Sequence, residues 1–412
     1  MAQTARALKA IVELVEAMTV VREINSKKMS ILWISFFLDN PALLNILRQF
    51  AELGHEVSLI AVQTKNVPRI KNAQVRIISV PLRHVPLIVP VMFTIFLFFY
   101  LPIFIIVSKL DVIIMEPYVH ILSAFPQLLI SRFKKVKSVL DVRSTPVETT
   151  GFRGFLQTFW FSVSILTAKK LFNGLTIITP LMKKEVCRRF NIDPAKVGVW
   201  TSGVSDSLFN PQNLISESAE LKRKLGLTGK FVVFYHGVFT ATRGLQETIK
   251  AIRILKHRYS NAVLFLLGTG PIVSNLKALI QKEDLQDNVI IHNPIDHLEV
   301  PKFIGMSDVC IVPLPYHPYW RFQSPLKLLE YLAMEKVVVL TDIPAHRTVI
   351  GEAKCGVYIS PVNPMEIAKA IEYVYLNKDS LQEWGKIGRE IVKRGYTWEK
   401  VAGSLENYLL SV

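Results

Sequence analysis

Residues 231–244 read FVVFYHGVFTATRG. Phe231–Tyr235 is a short unbroken apolar run, the pattern of a strand covered on both faces. The run ends at His236 and Gly237, a short loop follows, and Arg243 and Gly244 lead into a helical pattern at Leu245–His257. A glycine at a strand end lets a ligand approach the backbone, and arginine offers a permanent forked cation suited to phosphate. Arginine at a helix start opposes the helix dipole, which points to an anionic partner there. A merely solvated arginine is the alternative reading of this stretch.

Working outward, the same unit recurs. Ala262–Leu267, Val289–Ile291, Val309–Val312 and Val337–Leu340 read as strands, with helical spacing at Ile272–Lys282, Leu298–Met306 and Leu326–Met334. An earlier set begins at Ile31–Phe37. Asp39, Asn40 and Pro41 open a helix over Leu43–Leu53, which Gly54 ends. Strands follow at His55–Ala61, Val75–Val80, Val112–Met115, Ser138–Val142 and Thr176–Thr179. Two successive sets predict an α/β chain of two doubly wound, Rossmann-like domains with a cleft between them. Residues 29–205 and 206–394 are the expected domains, and 395–412 a final helix returning to the first. Residues 1–28 are polar and mildly amphipathic without an apolar h-region, so no cleavable leader is expected there, and they stand outside the fold prediction.

Composition narrows the functions. Of 412 residues, 50% are hydrophobic and 20% charged, enough apolar surface to exclude wholesale disorder. The net charge is +16, of which residues 29–205 carry +11 and 206–412 only +3. A basic first half suits nucleic acid, an anionic membrane or an anionic substrate. Cys187, Cys310 and Cys355 lie far apart with no CxxC. That excludes a disulfide scaffold and a zinc ribbon, and suits a reducing compartment.

Residues 85–107 (VPLIVPVMFTIFLFFYLPIFIIV) carry no charge. The length would span a bilayer as a helix. Pro86, Pro90 and Pro102 are expected to interrupt a single helix, and a crossing would put strands of one sheet on opposite sides of the membrane. A segment dipping into the interface, a buried core helix and a true span remain open. Arg83, Lys109, Arg132, Lys134, Lys135 and Lys137 would supply contacts to anionic headgroups.

Two further stretches bear chemistry. In LLGTGP (266–271), Gly268 and Gly270 form a tight turn after a strand. In SPLKLLEYLA (324–333), Ser324 is a candidate cap, Pro325 suits the first turn, and Lys327 and Glu330 share a face, where they could also pair with each other. The free amides at Pro325 and Leu326 make an anion site. Arg243 and this helix start both lie at carboxyl ends of strands, so they converge on one diphosphate, with Glu330 left for sugar hydroxyls. The chain has no DxD, which disfavours a metal-held diphosphate. It has no GxGxxG or P-loop after a strand, which speaks against a dehydrogenase or NTPase.

These segments resemble a GT-B glycosyltransferase of the large retaining family 4 (group 1), in a branch with an SPxKxxEY motif. The resemblance covers most of 29–412. It rests on TIITPLMKKEV (176–186), SGVSDSLFNP (202–211), YHGVFTATRG (235–244), LFLLGTGP (264–271), SDVCIVPL (307–314), SPLKLLEYLAMEKVVVLTDIPAHR (324–347) and CGVYISPVNP (355–364). It implies a nucleotide-sugar-binding second domain and an acceptor-side first domain. By resemblance, Arg243 contacts the donor diphosphate, Lys327 is a second basic residue there, and Glu330 is the second Glu of E-x7-E, which binds the ribose. Gly237, Gly268, Ser324, Pro325 and Leu326 are the further donor-binding candidates. LDVRSTPVE (140–148) is similar to a first-domain stretch of lipid-linked sugar transferases, making Asp141, Arg143 and Glu148 acceptor-side candidates.

The sequence departs from the family at several points. Phe322 stands where the first Glu of E-x7-E falls, Val238 replaces the usual Arg, and FLDNPA (37–42) replaces the Gly-Gly loop. The expected function is transfer of a sugar, with retention and without metal or cofactor, from a nucleotide-diphosphate sugar to a hydroxyl of a lipid-linked or glycan acceptor. The expected place is the inner face of the cell membrane, peripheral or monotopic on an anionic surface, without nucleic acid. A non-catalytic GT-B scaffold subunit is the alternative, favoured by Phe322 and Val238. His317, Trp320, Arg321 and Gln323 are candidates for tuning donor choice.

Overall fold

The computed structural model describes residues 28–38, 40–63, 75–82, 88–146, 151–317 and 320–412. Strands Ser30–Phe37 (β1), Glu56–Val62 (β2), Val75–Val80 (β3), Val112–Met115 (β4), Lys137–Val142 (β5), Gly174–Ile177 (β6) and Val197–Val199 (β7) form one sheet. All pair in parallel, in the order β3-β2-β1-β4-β5-β6-β7. Phe231–Val238 (β8), Ala262–Thr269 (β9), Val289–His292 (β10), Val309–Val312 (β11), Val338–Thr341 (β12) and Gly356–Ile359 (β13) form a second parallel sheet, ordered β10-β9-β8-β11-β12-β13. Each sheet reverses its strand order once, between β1 and β4 and between β8 and β11. The carboxyl ends of those strands are where a ligand crevice opens in such folds.

Period-two alternation splits each central strand between two cores. Ile31 and Trp33 face the Pro41–Glu52 and Trp398–Ser411 helices, whereas Leu32 and Ile34 face the Ile88–Val107 helix. Asn40 caps the first helix by accepting from the Ala42 and Leu43 amides, and Gly54 follows its end at φ +91°. The last helix, Trp398–Ser411, lies on the first sheet. Its Glu406 meets the buried His55 at 2.9 Å, and Tyr408 Oη accepts from Leu175 N and donates to the Lys196 carbonyl.

Three readings need correction. The strand expected at Thr176–Thr179 runs two residues earlier, because the Thr179 hydroxyl caps the Pro180–Phe190 helix by accepting from Met182 N. The edge strands β7 and β13 were not anticipated; each is short and contains glycine. Pro90 and Pro102 do not break the apolar run, for Ile88–Val107 is one helix of 20 residues, while Pro86 lies outside the described residues. Pro90 falls in the first turn, where its missing N–H costs nothing. Pro102 forfeits one internal bond, and Leu97, Leu101 and Ile105 stay fully buried around it.

The outer face of that helix is left open by the described residues. Phe99 is 67% exposed and Val107 75%. The neighbouring Ala124–Lys134 helix presents Phe125, Leu129 and Phe133, the last 89% exposed, at a spacing of four residues. The Gly151–Leu171 helix, on the same side of the sheet, exposes Phe152, Phe155 and Phe159. Lys134 reaches back to the Ile106 carbonyl at 2.9 Å, so charge stands at the rim of the apolar face.

The domains touch through their carboxyl-end loops. Thr179 Oγ1, just past β6, donates to the Phe322 carbonyl at 2.9 Å. Ser202 N donates to Ser324 Oγ at 2.9 Å. The Phe322 ring packs on the first-domain core with Met182 and Phe161, and Leu326 packs on the core holding Trp200 and Trp398. The carboxyl ends of the two sheets therefore face one another.

Candidate donor site and its surroundings

The second domain places its polar groups at the carboxyl ends of β8 and β11. Gly237 ends β8 at φ +125°, and a Cβ there would lie 3.2 Å from Lys327 Nζ. Glycine thus leaves room for the ammonium against the strand end. Lys327 Nζ sits 3.1 Å from Tyr235 Oη and 4.4 Å from the centre of that ring. Gly268, the tight-turn candidate, lies within β9 at φ +147°, where a Cβ would come 2.0 Å from the Gly237 carbonyl oxygen. Its role is to let the two strand ends touch.

Arg243 belongs to a one-turn segment, Ala241–Arg243, and the helix proper starts after Gly244 at Leu245. Gly244 has φ +67°, and a Cβ there would strike the Pro313 carbonyl at 2.0 Å. The Arg243 guanidinium stacks over Trp320 at 4.5 Å, and its buried Nε has no hydrogen-bond partner. Burial first, and the nearby Arg243 charge second, push the Lys327 ammonium down to about 7 against a weaker pull from Glu330. Two cations crowd one spot, and among the described residues no carboxylate is bonded to either.

Glu330 does not pair with Lys327. Its carboxylate is 2% exposed and lies between two imidazoles. His297 Nε2 is 2.8 Å from Oε1, and His236 Nε2 is 3.1 Å from Oε2 but not aligned for a hydrogen bond. Burial alone would raise this carboxyl; the two histidines hold it at about 2 instead. The same contact raises the His297 imidazole. His236 N–H bonds Tyr331 Oη at 3.0 Å, fixing the strand end against the Leu326–Ala333 helix.

The start of that helix differs from the reading in detail. Pro325 is the cap residue, with no side-chain cap, and Ser324 turns its hydroxyl to Ser202 of the linker. Leu328 and Leu329 amides bond the Pro325 carbonyl, leaving the Leu326 and Lys327 amides as the free donors of the first turn. Proline has no N–H, so Pro325 itself offers none. Gln323 Nε2 is buried without a partner beside a cavity of about 60 Å³ between the domains, lined also by Thr179, Thr201, Arg321 and Tyr396. A larger cavity, about 490 Å³, opens at the opposite, amino end of β1 and β4 and holds none of these residues.

In the first domain, Asp141 is buried and accepts from Thr176 Oγ1 at 2.7 Å and Trp200 Nε1 at 2.8 Å. Arg143 lies 3.4 Å over the Trp200 ring and bonds the Trp200 carbonyl. Both therefore brace the start of the linker. Glu148 lies outside the described residues. Sequence reasoning missed His236, His297 and Glu116. His236 lies near the end of β8, Glu116 directly follows β4 and His297 stands in the connection after β10, so listing polar residues around the carboxyl ends of strands would have found them.

Residues 217–391 match the family model described as Glycosyl transferases group 1. Alpha-D-kanosaminyltransferase of Streptomyces kanamyceticus is 24% identical over 199 residues, 48% of this chain. The match spans 50% of that relative's length. Among solved structures, a glycosyltransferase from Rickettsia africae superposes with a TM-score of 0.74 at 18% identity, covering 93% of this chain and 99% of that one. Anabaena HepE in complex with UDP superposes at 0.70 and 12% identity, covering 93% and 100%. The fold is GT-B. Residues 217–391, in the second half of the chain, are similar to the group 1 glycosyltransferases.

Proposed function

We propose that this protein transfers a sugar from a nucleotide-diphosphate sugar to a hydroxyl of a lipid-linked acceptor, at the inner face of the cell membrane. The observation that carries the reading is the pairing of Arg243 and Lys327. Two half-buried cations crowded together, one of them on the first turn of a helix whose Leu326 and Lys327 amides are free, are stabilised by a dianion between them. In the reaction the bond from the anomeric carbon to the diphosphate breaks, a bond to the acceptor oxygen forms, and the acceptor's hydroxyl proton passes to the departing diphosphate. Arg243, Lys327 and the helix amides hold the charge that develops on the departing diphosphate. Glu330, already desolvated and ionised, is placed to take ribose hydroxyls once His297 yields. Retention of configuration and independence of metal and cofactor belong to the same reading.

The membrane part rests on the apolar face made by the three first-domain helices and on the +11 charge of residues 29–205. Such a face buries itself in the acyl boundary while lysines meet anionic headgroups.

The test is donor binding. Thermal unfolding of the detergent-solubilised protein is followed with UDP, GDP, ADP and CDP, alongside Arg243→Ala and Glu330→Ala. A ligand at 100 times its Kd stabilises by about 2.7 kcal/mol. One diphosphate should raise Tm in the wild type and not in the variants. No response to any of the four at millimolar concentration overturns the donor reading and leaves the scaffold subunit in its place.

A further inference from the structure

The donor half uses the switch point of the second sheet; the matching point of the first sheet holds a group with no role so far. Glu116 follows β4 directly and lies beside the end of β1. Ser35 Oγ donates to its Oε1 at 2.9 Å, and Phe36 N approaches Oε2 at 3.4 Å. It is 8% exposed, so the side chain is largely out of water. Arg143 and Asp141 are its charged neighbours, and Asp141 is tied to Thr176 and Trp200. His120, four residues on, is buried with neither ring nitrogen hydrogen-bonded, and the polar group beside its ring is the Glu116 carbonyl. A carboxylate buried at a switch point with two donors on it keeps acceptor capacity that a ligand hydroxyl would use.

We propose that Glu116, anchored by Ser35, is the hydroxyl-binding residue of the acceptor site, receiving a hydrogen bond from a sugar or polyol hydroxyl of the acceptor. The inference rests on the donor reading above. The Leu326 helix start packs on the core holding Trp200, and Trp200 bonds Asp141, the charged neighbour of Glu116, so this end of the first sheet lies on the side that meets the donor domain. A carboxylate suits a neutral polyhydroxyl ligand, to which it is a strong acceptor, and repels a phosphate. That separates the two walls by charge: the donor's diphosphate is drawn to one and the acceptor's hydroxyls to the other. Burial first, and Asp141 second, raise the Glu116 carboxyl to about 7, so the site gains acceptor strength as pH rises through neutrality.

The experiment uses the full chain in detergent. The donor is the nucleotide sugar whose base binds, and the acceptor probes are octyl glucoside, octyl galactoside, octyl mannoside and glycerol. Glu116→Gln should raise KM for the accepted probe by about tenfold with a smaller change in kcat, and Glu116→Leu should lower kcat/KM by about a hundredfold or more. Ser35→Ala should give an intermediate rise in KM. Nucleotide Kd should stay within about twofold in all three. Should Glu116→Leu fail to fold, Glu116→Gln, nearly isosteric, still decides. Transfer by Glu116→Gln at the wild-type KM overturns the assignment. So does a wild type that binds nucleotide but glycosylates none of the probes. Failure of the wild type to bind any nucleotide instead overturns the donor reading, and the binding measurement shows it separately.

Discussion

The two halves of this chain share a topology and differ in what they cover it with. In the second half, outward helices such as Leu245–Lys256 bury an apolar stripe and give charge to water. In the first half, Ile88–Val107 is apolar all round, and aromatic stripes continue onto the Ala124–Lys134 and Gly151–Leu171 helices. The polar interiors of the cleft are opposite too. The β8–β11 end holds Arg243 and Lys327, and the β1–β4 end holds Glu116 and Asp141. One backbone plan therefore supports two chemistries, because the sheet fixes where side chains converge and leaves their identity free.

The sharpest way to break this contrast is to remove the cations. Arg243→Ala with Lys327→Met should weaken nucleotide-sugar binding at least about a thousandfold by calorimetry, since each charge-assisted contact is worth about 1.5–3 kcal/mol. A loss below about tenfold would mean the cationic wall is not where the donor sits.

Next is the apolar face. Phe99→Glu with Phe133→Glu removes two anchors worth about 1.5–3 kcal/mol each when buried. Flotation with vesicles containing phosphatidylglycerol should show binding reduced by about a hundredfold or more. Equal flotation of variant and wild type would make the two halves alike in their outer surfaces.

Gly244→Ala tests whether the β8–β11 end tolerates any slack. The new Cβ would collide with the Pro313 carbonyl at a positive φ, at a cost of about 2 kcal/mol or more in unfolding free energy. Urea titration reads this directly; an unchanged midpoint would show that the loop shifts freely.

The pH dependence sharpens the contrast further. Burial and the Arg243 charge push the Lys327 ammonium down to about 7, and a diphosphate bound beside it would raise it again. Below pH 7 the lysine is already charged and affinity is full. Above 7 binding must take up a proton, so affinity falls by up to about tenfold per pH unit. Calorimetry of a nucleotide sugar at pH 8 in buffers of differing ionisation enthalpy should register uptake of nearly one proton. Lys327→Arg should flatten the profile.

The smallest expected effect is at the contact between the halves. Thr179→Ala removes a helix cap and the bond to the Phe322 carbonyl, costing about 1 kcal/mol. Its Tm should drop by a few degrees while nucleotide affinity holds.

The alternation of apolar runs and helical spacing was enough to find most of the strands and the two-domain plan, because hydrophobic periodicity is a local property of the chain. The placement of Arg243 and Lys327 beyond strand ends was legible for a related reason: each follows an apolar strand run in the sequence, Arg243 after β8 and Lys327 after β11. The edge strands β7 and β13 escaped because three or four residues with a glycine carry too little pattern. Continuity of the Ile88–Val107 helix was also out of reach, since packing of Leu97, Leu101 and Ile105 outweighs the bond that Pro102 forfeits. Only the tertiary structure decided partners. Glu330 and Lys327 share a helix face, yet β8 and the loop after β10 deliver His236 and His297 to the carboxylate, and Tyr235 takes the lysine. Glu116 and Ser35 are 81 residues apart and meet only because β1 and β4 are neighbours in the sheet. Sequence spacing sets which residues can face one way; which groups answer them depends on strands that are distant in the chain and adjacent in space.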